Sequence, residues 1–272
     1  MAASTMVDTI HAAIERVFAP NAVWDVQLLH GSVENRTWQV ACAGERLIAK
    51  LPESVGGATA GAALEYDILG IAAEIGLAPT PRGFDAQSNI LFADELAECR
   101  DLTTTDLTNP EIIDQLARML RRLHAVAAPT SLRSFDVPTF VAEYLSNTDC
   151  VSATRIGKEL LALHERYAAL LSGDALCHND LHCANILLGE QLWLVDFEYA
   201  VRANPIVDIA SFAALNGIAS CAAFEFARQC AGGAPAYTAQ QLDDIILMQT
   251  LLAELWELAR SSNNACSQRQ SK

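Results

Sequence analysis

The spacing of apolar positions divides this chain in two. In the first third, short stretches alternate apolar and polar residues, as strands with one buried face do. Residues 26–29, 37–42 and 46–51 read this way, with a tight turn at Gly44 between the second and third. A helix over 8–18 precedes them, with Ile10, Ala13, Ile14 and Val17 on one face. A second helix is predicted over 62–75; Gly76 ends it, with Pro79 and Pro81 beyond. Residues 89–93 form a further strand, leading into a connecting segment at 94–99.

From there the period changes to that of helices. Asn109 and Pro110 open a helix over 110–127 as N-cap and first-turn residue. Its apolar stripe is Leu116, Met119, Leu120 and Leu123. Helices follow over 139–145 and 155–171. The apolar run 206–226 reads as a single buried helix, because Asp208 and Asn216 interrupt it too early for a membrane span. The last helix, 239–260, carries Leu242, Ile245, Ile246, Leu252, Leu255 and Trp256. The polar tail after Ser261 is expected to be disordered.

Composition narrows the class. The 272 residues are 51% hydrophobic, enough for a substantial core. The net charge of −15 disfavours a nucleic-acid partner and suits a cationic ligand better than an anionic one. The 8 cysteines show no C-x-x-C pair and no metal-ligand spacing. They read as buried free thiols in a reducing cytoplasm. No basic, apolar leader opens the chain, and no long uncharged apolar run follows, so the expectation is a cytoplasmic protein without a membrane span. Composition leaves the oligomeric state open.

The chemistry concentrates in His178-Asn179-Asp180-Leu181-His182-Cys183-Ala184-Asn185, followed by Leu194-Val195-Asp196-Phe197-Glu198. A carboxylate and a carboxamide, with four residues between them, share one loop, and a second carboxylate follows the next apolar strand. That set can accept a proton at Asp180 and offer hard oxygens to a cation at Asn185 and Asp196. A lone H-x-D would mean little, since Asp and Asn are common in turns. The joint spacing is far more restrictive.

These two motifs resemble the catalytic loop and metal motif of protein-kinase-like phosphotransferases. The variant, with Asp-Phe-Glu-Tyr-Ala after the strand, resembles the choline/ethanolamine kinase and aminoglycoside phosphotransferase superfamily. Within it, the bacterial choline kinase and thiamine kinase branch is the best match, over roughly residues 26–260. A protein kinase would carry Arg before the Asp and Gly third in the second motif, where Asn179 and Glu198 stand.

The resemblance implies an α+β, two-lobed fold. A β-rich nucleotide-covering lobe would span 1–97, and a larger, mostly helical catalytic lobe 98–272. It implies ATP and Mg²⁺ as cofactors, Asp180 as catalytic base, and Asn185 and Asp196 as metal ligands. Lys50 on a strand and Glu65 on the following helix would hold the phosphates; Glu74 on that helix is the rival carboxylate. Gly31, Ser32 and Asn35 match the family's phosphate-covering turn. His178 and Asp208 would shape the catalytic loop without touching substrate, and His182 is read as structural.

The implied acceptor is a small cationic alcohol, choline or ethanolamine first, then thiamine, then an aminoglycoside. Glu198, Tyr199 and Trp256 are its expected contacts, with Glu254 and Glu257 beside the tryptophan. A nucleotide-binding pseudokinase scaffold is the non-enzymatic alternative; it would lack a base or metal residue, and none is missing. The sequence departs from the family at Glu98-Cys99-Arg100, where Glu-Gly is usual, and in the loop 57–61.

Overall fold

The computed structural model describes residues 3–18, 24–29, 36–51, 61–148 and 150–270. The chain divides into two compact units. One comprises residues up to Ser54, Ala60–Arg100 and Leu187–Glu198; the other comprises Asp101–Ile186 and the chain from Tyr199 onward.

The first unit begins with helix α1 (Ala3–Val17), which opens earlier than the pattern suggested. Strands β1 (Asp25–Leu28), β2 (Arg36–Cys42) and β3 (Glu45–Leu51) follow, then helix α2 (Ala62–Glu74) and strands β4 (Pro81–Asp85) and β5 (Ile90–Asp94). The strands form one antiparallel sheet in the order β1-β2-β3-β5-β4. Ala43 and Gly44 both take positive φ, 49° and 93°, the primed turn that a two-residue hairpin prefers.

On one face of the sheet, Met6, Ile10, Ala13 and Ile14 of α1 pack with Trp38, Val40, Leu47, Ala49, Ile90 and Phe92. Leu47 and Ala49 point to α1, so strand alternation sends Ile48 and Lys50 to the opposite face. Arg16 clamps the end of α1 to β4 through two hydrogen bonds to Asp85, at 2.9 and 2.7 Å. The Arg16 guanidinium holds Asp85 well below the usual carboxylate range, against the opposing effect of burial and with help from Ser88.

Strand β4 was not anticipated, because Pro81 and Gly83 both read as strand breakers. Gly83 is there because α1 lies directly over it: a Cβ would come within 2.2 Å of Val17 Cγ1.

Strand β6 (Arg100–Asp101) stands where the chain leaves the first unit. The second unit then runs through α3 (Pro110–His124), α4 (Val137–Leu145), α5 (Val151–Leu171) and β7 (Ala175–Cys177). The expected cap is present: the Asn109 side chain accepts from the N–H of Glu111 at 3.0 Å. The expected stripe Leu116, Met119, Leu120 and Leu123 is buried. Strands β8 (Ile186–Leu188) and β9 (Leu192–Leu194) form a hairpin that returns the chain to the first unit. Strand β10 (Val201–Ala203) then pairs with β7, and α6 (Ile206–Asn216), α7 (Ser220–Ala231) and α8 (Ala239–Gln270) complete the second unit.

Some expectations need correction here. The run 206–226 is two helices, because Gly217 ends α6 in the left-handed conformation at φ 65°. Helix α8 continues through the tail to Gln270, whose residues include no proline or glycine to stop it. The thiols are not uniformly buried: Cys177 and Cys230 are, whereas Cys221 is exposed on the outer face of α7. Among the described residues no helix is long and apolar enough to cross a membrane.

The packing of α1 on β4 yields a stability test. Gly83→Ala should cost about 1–3 kcal/mol, the usual penalty of overpacking a tight contact. Val17→Ala in the same chain should return part of that loss, a coupling that thermal melts of the double-mutant cycle measure directly. Additive losses would mean that the two residues do not meet.

Candidate functional site

In the first unit the structure brings Lys50, Glu65, Asp196 and Glu198 together. Lys50 Nζ donates to Glu65 Oε1 at 2.5 Å and to Asp196 Oδ1 at 2.7 Å, and lies 3.9 Å from Glu198 Oε2. Helical phase decides between the two α2 carboxylates. Glu65 shares the inward face with Ile68, Leu69 and Ala72, and is 3% exposed. Glu74, nine positions on, falls half a turn away and is exposed.

Asp196 follows β9 at φ 68°, a left-handed conformation that Asp tolerates better than most residues and that turns its carboxylate at the strand end. Glu198, which the sequence suggested as an acceptor contact, is buried next to Lys50.

One ammonium therefore faces three carboxylates. Burial pushes Lys50 toward its neutral form, but Asp196, Glu65 and Glu198 outweigh it and hold the ammonium charged, above its ordinary range. Burial, opposed by Lys50, raises Glu65, and the Asp196 charge pushes the same way. The carboxylates gathered there are hard oxygen donors of the kind that hold a divalent cation.

In the second unit the structure assembles Asp180, Asn185, His178 and Asp208. Asn185 Nδ2 donates to the Asp180 backbone carbonyl at 2.9 Å and to Asp180 Oδ2 at 2.8 Å. Those two acceptors fix the amide's orientation and leave Asn185 Oδ1 as its donor to any cation. His182 Nε2 lies 3.6 Å from Asp180 Oδ2.

Beneath the loop, Asp208 is 0% exposed. Its carboxylate accepts from the backbone N–H groups of His178 at 3.0 Å and Asn179 at 2.7 Å, and bonds His124 Nε2 at 2.8 Å. Asn179 takes positive φ, 63°, immediately before Asp180. Its side chain donates to the Tyr199 carbonyl at 3.2 Å and accepts from Gln249 at 3.2 Å. Sequence reasoning assigned no role to Asn179, His124 or Gln249; position within the motif pointed at the first, and nothing local pointed at the others.

Trp256, which the sequence suggested as an acceptor contact, has an arginine of the chain itself over its ring. The Arg260 guanidinium lies 4.8 Å from the ring centroid and is tied to Glu257 at 3.1 Å. Beside it, a cleft of about 550 Å³ opens between α5, α6 and α8. Thr250, Ala253, Glu254, Glu257 and Leu258 line it from α8, Ala214 and Leu215 from α6, and Arg155 and Ile156 from α5. The next residue of α6, Asn216, bonds the Leu181 carbonyl and the Cys183 N–H of the Asp180 loop at 2.8 and 2.9 Å. Gly31, Ser32 and Asn35 lie outside the described residues.

A β-rich unit with a buried lysine–carboxylate cluster, and a helical unit with a braced Asp–Asn loop, define a protein-kinase-like architecture. Residues 25–241 match the phosphotransferase enzyme family, and the chain belongs to it. A probable ethanolamine kinase of Arabidopsis thaliana is 30% identical over 116 residues, 37% of this chain and 31% of that protein. The chain spans about a third of the length of the curated relatives it matches.

Among solved structures, the choline kinase LicA of Streptococcus pneumoniae superposes with a TM-score of 0.79 at 18% identity, over 95% of this chain and 92% of that one. LicA has also been solved in complex with AMP. A choline/ethanolamine kinase family protein of Mesorhizobium loti gives a TM-score of 0.76 at 22% identity, over 95% and 87% of the two chains. At these identities the likeness is one of fold.

The charge balance of the first unit is directly testable. Lys50→Met removes the ammonium that bonds Glu65 and Asp196, and losing one partner of a buried pair typically costs about 3–5 kcal/mol. Adding Glu65→Gln removes one of the stranded charges and should recover part of the loss. Calorimetric melting of the two variants checks this; a double variant no more stable than Lys50→Met would contradict it.

Proposed function

We propose that this chain transfers the γ-phosphoryl group of ATP to the hydroxyl of a small cationic alcohol, with choline or ethanolamine as first choice. The observation that carries the reading is the Asp180–Asn185 pair on a loop whose backbone is fixed from below by Asp208. A carboxylate held this way is suited to accept the acceptor's proton as its oxygen attacks phosphorus. Asn185, bonded to Asp180 Oδ2, keeps the carboxylate in one rotamer.

Lys50 is the group we assign to the phosphates, with Glu65 orienting it. Asn185 and Asp196 are the residues that would hold Mg²⁺, and their chemistry fits: each offers a hard oxygen, the donor type this ion takes. When bound, the metal supplies charge neutralisation on the triphosphate. Gly31, Ser32 and Asn35 are assigned to the phosphates by resemblance. Nucleotide use is further supported by the AMP complex of LicA.

For the acceptor, the cleft beside α8 is the site we favour, with Tyr199 at the loop's edge. Its volume is in the range of small-molecule sites. Glu254 and Glu257 outweigh Arg155 in charge there, and aliphatic side chains supply the apolar floor that a quaternary ammonium needs. Because Arg260 occupies Trp256 and is tied to Glu257, the reading gives the cation chiefly to Glu254. The seven cysteines whose side chains the structure describes are all unpaired, which supports a reducing compartment such as the cytoplasm.

Asp180→Asn should lower kcat by roughly 10²–10⁴ with the KM for ATP nearly unchanged, and EDTA should stop turnover of the wild type. Retention of a tenth of wild-type kcat would remove Asp180 from the role of base.

The acceptor is tested separately with choline, ethanolamine, thiamine, kanamycin and 3,3-dimethylbutanol, the neutral isostere of choline. Choline should be turned over with much higher kcat/KM than the isostere. Glu254→Gln should raise the KM for choline roughly ten-fold, about 1.4 kcal/mol, and leave that for ATP alone. Equal efficiency on the charged and neutral alcohols would end the cation reading; turnover of thiamine alone would keep it and change the substrate.

A further inference from the structure

The end of α3, the end of β7 and the first turn of α6 converge on a group of side chains that the phosphoryl-transfer chemistry does not use as a group. His124 Nε2, Cys177 Sγ and an Asp208 carboxylate oxygen all lie within 4.8 Å of one another. Cys177 and Asp208 are completely buried, and the His124 side chain is nearly so. Cys177 Sγ donates to the Asn204 carbonyl at 3.7 Å, which brings a further oxygen to the same place. Imidazole, thiol and carboxylate form the donor set of zinc sites, and a soft sulfur selects against magnesium.

We propose that His124, Cys177 and Asp208 form a latent site for Zn²⁺ or a similar thiophilic divalent ion, and that its occupation inhibits the enzyme by pulling Asp208 away from the catalytic loop. The inhibition rests on the phosphotransferase reading above; the binding does not.

The ion would take the place of the hydrogen now shared between His124 Nε2 and Asp208 Oδ2. The imidazole hydrogen moves to Nδ1, the thiol proton leaves to solvent, and the thiolate and carboxylate together balance the two positive charges. The thiol does not ionise on its own, because burial and the Asp208 charge push it well above its ordinary range; a bound metal is what deprotonates it.

Geometry then transmits the event. The nitrogen–oxygen separation is 2.8 Å with hydrogen between them. With zinc there, bonds of about 2.0–2.1 Å at tetrahedral angles require roughly 3.3 Å. The same oxygen accepts from the backbone N–H of His178, and its twin from that of Asn179, the residue before Asp180. A shift of that size at Asp208 lengthens bonds that position the base.

Co²⁺ replaces Zn²⁺ as a spectroscopic probe, since thiolate ligation gives an intense near-ultraviolet charge-transfer band that oxygen and nitrogen ligation lacks. The full-length protein should bind one Co²⁺ with this band. Cys177→Ala and Cys177→Ser should lose the band; Cys230→Ala should keep it. Cys230 senses the Asp208 charge but stands outside the cluster, and burial pushes its thiol up to about 12.

In turnover assays with excess Mg²⁺, Zn²⁺ should lower the kcat of the wild type and of Cys230→Ala, and Cys177→Ala should need roughly 100-fold more Zn²⁺ for the same effect. Metal-free turnover of Cys177→Ala at the wild-type rate establishes that the variant is folded. No band in the wild type, or an undiminished band in both Cys177 variants, overturns the site. A Cys177-dependent band without Cys177-dependent inhibition overturns the coupling to the loop and leaves the phosphotransferase reading untouched.

Discussion

The Asp208 carboxylate is the constraint on which the second unit's chemistry depends. It sits in the first turn of α6, completely buried, where an isolated charge would be very costly. It is tolerable there because the N–H groups of His178 and Asn179 and the ring of His124 all point at it. Those bonds fix the backbone immediately before Asp180, and Asn179 can take its left-handed conformation because its own amide is held by Gln249 and the Tyr199 carbonyl. Helix α6 thus braces the loop twice, through Asp208 at its start and through Asn216 at its end.

The first unit solves a different problem, that of keeping a cation in a dry place. Lys50 is accessible to its carboxylates only because strand alternation turns it away from the α1 core, and because α2 presents Glu65 on the same face as Ile68 and Ala72. Buried ion pairs contribute little to stability even when well made, so this arrangement is costly to keep as a stabilising device alone.

The parts legible in the sequence were those written locally. Hairpin and cap signals at Gly44 and Asn109 corresponded to the turn and cap observed. The spacing of Asp180, Asn185 and Asp196 carried the resemblance to the phosphotransferase family that residues 25–241 match. What was hidden depended on distant neighbours. Strand β4 carries Pro81 and Gly83, residues that argue against a strand until α1 is laid over it. The division of 206–226 turned on Gly217 alone, in a run whose apolarity otherwise read as continuous. His124 and Gln249 joined the site from helices whose patterns mark them only as members of an amphipathic surface.

The acceptor is the least local feature, and the reason is physical. Phosphoryl transfer demands the same few oxygens and the same lysine whatever alcohol is used, so the motif that reveals the reaction carries no information about the substrate. Selectivity has to be built by surfaces brought together from separate helices. The cleft proposed for the acceptor combines surfaces of α5, α6 and α8. The aromatic residue that looked most suitable for a cation, Trp256, has Arg260 over its ring, while Glu254, two positions earlier and so on nearly the opposite side of α8, lines the cleft. An aromatic ring attracts a cation only if its face is available, and availability is a property of packing. A carboxylate lining an apolar-floored cleft attracts a cation over a longer range and needs no such alignment. On the proposed reading, the acidic residues that α8 presents to the cleft, rather than the count of tryptophans, set the charge the acceptor must carry.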